Sequence, residues 1–195
     1  MPAFCDMSGG YTVIQSRVDG TVDFARPWAD YKAGFGEAGG NHWLGNEAIH
    51  WLTANCYHGQ ASLQVELTKC APIDTSYAIY DHFTVGDEGS KYRLQLGGFF
   101  DGGIGDALSQ SNNMAFTTKD QANDPHQLCD QYFGYGGWWF AYCGLSNLNG
   151  VYQRACNYQS PGYSVAGIYW RSWPREDESA TYSAYKTAMK IMPSH

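Results

Sequence analysis

The chain has 195 residues and a formal charge of −7 with no basic run, which suits one domain and argues against nucleic acid as a partner. With 15 tyrosines, 7 tryptophans and 23 glycines but only 16 % charged residues, it is neither a disordered chain nor a helical bundle. No stretch approaches the roughly 20 apolar residues that cross a bilayer, so a membrane is not an expected partner either.

In chain order, "YTVIQ" (11–15) reads as a β-rich strand, and Asp19-Gly20 as a turn between two extended segments. "PWADYKAGFG" opens on Pro27 and stops at glycine, which predicts a short helix. "NEAIHWLTAN" predicts a second helix with Asn46 as its N-cap. "ASLQVELTKC" alternates Leu63, Val65 and Leu67 with polar residues, the pattern of a half-buried strand. "YAIYDHFTV", "KYRLQLGGF" and "AYKTAMKIM" read as strands too. Between about Asp101 and Pro174 the periodicity gives way to Gly, Asn, Asp and aromatic residues. A long irregular insert of this kind is usually functional, or held by cross-links and ions.

Six cysteines without a C-x-x-C pair suit disulfides in an oxidising, extracellular setting rather than a zinc site. Met1-Pro2-Ala3-Phe4 runs straight into Cys5 without a leader, as in a cytosolic chain or one already processed. "GFGEAG" matches G-x-G-x-x-G, but a helix precedes it, so it reads as a turn. No G-x-S-x-G occurs and the histidines are scattered, so nothing supports catalysis. The loop from Asp120 fails the EF-hand template, with Pro125 and Gln131 where Gly and Glu belong. From composition it is either a solvated turn or a calcium loop of another kind. In "GYGGWWFAYCG" one strand face cannot bury both Trp138 and Trp139, so one is expected in the core and the other beside a cleft.

The segments "CDM", "YTVIQSRVDGTVDFARPWADYKAGFG", "WLGNEAIHWLT", "YAIYDHFTVGDE", "GDALS", "FTTKD", "WW", "SNLNGVY" and "MKI" together resemble the fibrinogen-related domain of fibrinogen chains, ficolins, tachylectin-type lectins and angiopoietins. The resemblance spans nearly the whole chain. It implies an α+β fold, a twisted antiparallel sheet with short helices and a largely irregular binding subdomain. The implied organisation is a single domain over 1–195, with a sheet body at about 11–100 and 183–193 and the binding subdomain at about 101–182.

It also implies a secreted, disulfide-bonded, non-enzymatic recognition protein whose ligand is a glycan bearing an acetylated sugar, with oligomerisation supplying avidity. The rival partner is a protein surface or peptide terminus. The family's calcium loop reads D-x-D-x-D; here it is Asp120, Ala122 and Asp124. Asp124, with carbonyls near His126 and Leu128 and Asp120 swinging in, is the implied metal set, weakened by Ala122. The implied bridge is Cys129–Cys143, with Cys5–Cys156 and Cys56–Cys70 open for the rest. The Tyr142-Cys143 bond is commonly cis in the family, and the Cys143 and Gly144 N–H groups would receive an acetyl oxygen. Tyr132, Phe133 or Tyr135 would supply an aromatic wall, and Tyr163 and Ser164 the facing side. Gly144 replaces the histidine of lectin-type members, and "PREDESATY" lengthens the far rim with acidic residues.

Overall fold

The computed structural model describes residues 10–56, 61–126, 128–156, 167–174 and 182–193. The alternation of Leu63, Val65 and Leu67 produces β4 (Ala61–Thr68), with those three side chains fully buried. It pairs antiparallel with β5 (Thr75–Val85) on one side and with β9 (Lys186–Pro193) on the other. β5 leads to β6 (Leu94–Gly102), and β9 pairs with β1 (Thr12–Arg17). The two-residue strands β2 (Phe35–Gly36) and β3 (His42–Trp43) complete a seven-stranded sheet in the order β2-β3-β1-β9-β4-β5-β6. The expected α+β class is therefore what forms, with an antiparallel sheet and few helices.

β1 is not a simple alternating strand. Its register against β9 shifts between Val13 and Gln15, and the bulge lets neighbouring Ile14 and Gln15 both be buried, followed by Arg17. That shift sets two long polar side chains facing inward, and both reach the irregular region.

Helix α1 (Trp28–Ala33) ends where expected: Gly34 takes φ 91°, and a Cβ there would meet the Leu44 carbonyl oxygen at 2.5 Å. Pro27 is its N-cap rather than its first helical residue. Helix α2 (Asn46–Trp51) corrects the capping expectation. Gly45 is the N-cap at φ 105°, and Asn46 is buried with its Oδ1 accepting the Trp43 indole N–H at 3.0 Å. Asp19-Gly20 does bend, but no second strand follows. Asn41 Oδ1 takes the Val18 N–H at 2.8 Å, so a side chain replaces strand pairing. β6 starts at Leu94 rather than Lys91, because Lys91 and Tyr92 turn with φ of 62° and 47°. "GFGEAG" is a helix end, β2 and a turn, as its context required.

The tryptophan expectation fails. Trp138 and Trp139 are both fully buried. They lie outside the large sheet, so the one-face limit does not apply: Thr117 and Trp138 form an isolated bridge, and Trp139 donates its indole N–H to the Tyr92 carbonyl at 2.7 Å. Gly137 permits this, since a Cβ would meet the Tyr31 ring at 2.7 Å. Trp139 packs on Trp43 of β3 and on Phe116, welding the irregular region to the sheet.

Candidate functional site

Beyond β6 few elements are regular: a 3-10 turn Ser109–Ser111, helix α3 (Cys129–Tyr132), and paired strands β7 (Ser146–Asn147) and β8 (Tyr169–Trp170). Hydrogen bonds from the sheet's inward side chains hold the rest. Gln15 Nε2 donates to the Leu148 carbonyl at 2.9 Å, and Arg17 Nη1 to the Gly150 carbonyl at 2.7 Å. Asn149 Nδ2 passes the link on to the Gly137 carbonyl at 2.8 Å. Burial pulls the Arg17 guanidinium down to about 10, with Tyr31 chief among the groups that oppose this. These positioning residues carry no functional motif; Gln15 and Arg17, two apart in β1, share one face of the strand.

Among the described residues two disulfides fasten the region. Cys129–Cys143 forms as the resemblance implied, with Cα atoms 4.6 Å apart across a sequence separation of 14. The second is Cys70–Cys156, separation 86, in place of the Cys56–Cys70 and Cys5–Cys156 alternatives. Cys70 follows β4 and Cys156 accepts the Ser183 N–H at 2.7 Å, so both cysteines stand where the irregular chain returns to the sheet. Cys5 lies outside the described residues.

The Tyr142-Cys143 bond is not cis; the cis bonds among the described residues are Ala71-Pro72 and Trp173-Pro174. Instead Tyr142 (φ 45°) and Cys143 (φ 63°) are both left-handed, and the Gly144 N–H donates to the Ala141 carbonyl at 2.5 Å. Two central residues with positive φ inside such a bond make a tight turn of the primed kind. The Gly144 N–H is thereby consumed, which corrects its expected role towards a ligand. The Cys143 N–H makes none of the described backbone hydrogen bonds.

The turn holds Tyr142 out with 78 % of its surface exposed, its ring 5.2 Å from that of His126. Leu128, preceding the partner cysteine, is exposed, as are Tyr132 and Tyr135 farther along the loop. Phe133 is not: it is buried, stacked on Phe140 at 5.5 Å. Of the three candidate wall residues, Tyr132 and Tyr135 face solvent. No sequence pattern marks Tyr142 for this position, which follows from the left-handed turn at Tyr142 and Cys143. Tyr163, Ser164 and most of "PREDESATY" lie outside the described residues. A polar cleft of about 290 Å³ adjoins the loop at Gly134 and is bordered by Arg17, Asp23, Gly150 and Tyr152. A second, apolar cavity of about 710 Å³ lies between α1 and α2, lined by Ala29, Leu44 and Trp51, and none of the loop residues border it.

The implied metal ligands do not assemble as a set. Asp120 Oδ1 accepts the Trp28 N–H and the Thr118 hydroxyl, both at 2.8 Å, so it serves α1 instead of swinging towards Asp124. The Leu128 carbonyl takes the N–H groups of Gln131 and Tyr132. Asp124 Oδ1 accepts the His126 N–H at 3.1 Å, while its Oδ2 is buried without a hydrogen bond. Asp130, not singled out in the sequence, is a second buried carboxyl; burial, and then the charge of Asp124, hold it above the usual aspartate range. No group of three or more His, Cys, Asp or Glu is arranged for a metal among the described residues. Two carboxylates with carbonyls and water still suit a hard cation such as calcium.

A family model described as "Fibrinogen beta and gamma chains, C-terminal globular domain" matches residues 1–194. The chain belongs to the fibrinogen C-terminal domain family. It is 45 % identical over 197 residues to Ryncolin-4 of Cerberus rynchops, covering 99 % of this chain and 53 % of that protein. To human Angiopoietin-4 it is 44 % identical over 199 residues, covering 97 % and 36 %. The chain thus spans about half or less of these relatives. Among solved structures, the fibrinogen-like globe of human ANGPTL2 matches with a TM-score of 0.86 and 38 % identity, covering 97 % of this chain and 82 % of that one. A lamprey fibrin D-dimer complexed with the peptide Gly-His-Arg-Pro-amide matches with a TM-score of 0.85 and 33 % identity, covering 95 % and 62 %. As a fibrinogen C-terminal domain, the chain is a binding and recognition module and not an enzyme.

Proposed function

We propose that this fibrinogen-related domain is a secreted lectin-like receptor for acetylated or other small glycan epitopes, serving innate immune recognition. The observation that carries this is the disulfide-closed loop, which presents Tyr142 on a tight turn beside His126, with Leu128, Tyr132 and Tyr135 exposed nearby in the chain. Exposed aromatic rings on a fixed backbone offer apolar faces for sugar C–H groups and acetyl methyls at little entropic cost. The Cys143 N–H is the remaining backbone donor for an acetyl oxygen. The Cys70–Cys156 and Cys129–Cys143 bonds suit an extracellular setting. A calcium ion at Asp124 would stiffen the stretch that leads into Cys129. Affinity of a single site is on the order of millimolar to micromolar, raised by multivalency.

The fibrin D-dimer with its bound peptide favours a second reading, capture of a peptide terminus or receptor surface. A glycan array run in calcium and in chelator separates the two. Signal on N-acetylated sugars that falls about tenfold or more in Tyr142→Ala, with thermal stability unchanged, supports the lectin reading. A blank array in both conditions sinks it and turns attention to protein partners.

A further inference from the structure

Among the described residues Arg17 is the most deeply buried charged side chain, at 1 % exposure, and none of the described ion pairs includes it. A guanidinium stays charged at neutral pH, so its burial leaves a cation to be met. Arg17 Nη1 donates to the Leu148 and Gly150 carbonyls at 3.3 and 2.7 Å, and the guanidinium lies over the Phe24 ring, 4.0 Å from its centroid. These contacts supply dipoles and a ring face but no anion. Nε is buried without a hydrogen bond, and Nη2 makes none of the described ones. Nε and Nη2 share the edge of the guanidinium that grips a carboxylate in two parallel bonds. Arg17 lines the polar cleft of about 290 Å³ together with Val22, Asp23, Gly134, Val151 and Tyr152. The N–H groups of Val151 and Tyr152 on that wall make none of the described hydrogen bonds, and the Tyr152 hydroxyl reaches the Val18 carbonyl only at 3.5 Å. The cleft thus gathers unspent donors around an unpaired cation.

We propose that this cleft binds a small carboxylate, forked on Nε and Nη2 of Arg17 and met on its other side by the donors of Val151 and Tyr152. The volume lies at the small end of ligand sites, enough for a carboxyl group and the few atoms that carry it. An acidic monosaccharide and a free peptide terminus both present that group. Asp23 is the acidic residue on the lining, and its Oδ1 accepts the Ala25 N–H at 2.9 Å, which holds it to its own turn instead of to Arg17. Its charge opposes an anionic ligand and keeps the affinity low. The site is separate from the lectin reading, because Tyr142 does not line the cleft.

Amide NMR titration of the whole chain at fixed ionic strength tests this. The probes are glucuronate and the peptide Gly-Gly-Gly, with glucuronic acid methyl ester and Gly-Gly-Gly-amide as controls that lack the carboxylate. The acids shift the Val151 and Tyr152 amide resonances with a Kd on the order of 1–10 mM, and the controls leave them in place. Asp23→Asn tightens binding about threefold or more, because the opposing charge is gone. Val151→Trp fills the mouth and weakens binding about tenfold or more without touching Arg17. Arg17→Lys weakens it as much, with its melting temperature followed alongside because Arg17 also anchors residues 148 and 150. Shifts from one acid alone support the site and identify which source it takes. Acids and controls that act alike overturn the proposal, as do Val151 and Tyr152 amides that stay in place up to roughly 100 mM acid. So does an affinity unchanged in both Asp23→Asn and Val151→Trp. Shifts confined to Tyr142 belong to the lectin loop and overturn it too, so a blank glycan array and an empty cleft are separate failures.

Discussion

The sheet and the loop region are held by different physics. In the sheet each strand is fixed by its neighbours: β9 alone pairs with β1 over five residue positions and with β4 over eight. Alternation then decides which side chains enter the core. In the loop region the backbone has few ladders to rely on, and its polar groups are met one at a time by side chains reaching out from β1 and α1. Gln15, Arg17 and Tyr31 each donate to or accept from a backbone group of the other region, at residues 148, 150 and 137. A ladder tolerates the loss of one rung. A backbone stretch held by single contacts does not, so the loop region should be the more sensitive to point changes.

The sharpest way to break that contrast is Trp139→Ala. Trp139 is fully buried, packs edge-on against Phe116 at 5.1 Å, contacts Trp43 at 6.0 Å and satisfies the Tyr92 carbonyl. Its loss should cost about 3–5 kcal/mol, read as a fall in denaturant midpoint. Because Trp43 belongs to the sheet, both regions should melt in one transition. Two separate transitions would show that they are independent units.

Cutting Cys129–Cys143 with a double alanine variant is the next largest change. Closing a loop of this length restricts the unfolded chain by about 3 kcal/mol. The damage should stay local: the Trp138 N–H, bonded to the Thr117 carbonyl at 3.1 Å, should keep its hydrogen-exchange protection while the amides of 130–135 lose theirs. Loss of protection throughout β4 and β9 would instead make the bridge a support of the sheet.

The same contrast explains what could be read in advance. β4 was legible because Leu63, Val65 and Leu67 obey the period of a strand, and α1 because Pro27 and Gly34 bracket it. The burial of both Trp138 and Trp139 was not legible, since periodicity constrains only a segment lying in a sheet. The Cys70–Cys156 bond joins residues far apart in sequence, which no local pattern ranks above other pairings. The site was half legible. The resemblance placed the loop and its bridge, but Tyr142 owes its exposure to a left-handed turn, which a one-dimensional pattern does not carry.

Asp101 marks the seam between the two regions, and its titration gives the smallest effect. It lies near the end of β6, and its Oδ1 accepts the N–H groups of Gly103 at 2.7 Å and Gly105 at 2.9 Å. The Gly105 N–H first, and then that of Gly103, hold its carboxyl below the usual aspartate range. A lowered pKa in the fold means that the anion is the stabilised form. The contribution is complete above the unfolded value, roughly 3.9, and is lost as pH falls through the lower folded value. The carboxylate is exposed, so solvent screens the effect and it should be small. Asp101→Asn keeps the acceptor but removes the charge. Wild type should be the more stable at about pH 6, and the difference should shrink as pH falls below roughly 4. Over the same interval the Gly103 and Gly105 amide resonances of the wild type should shift together. A stability difference that stays constant across that range would mean that the turn is held by its backbone alone, like the rungs of the sheet it leaves.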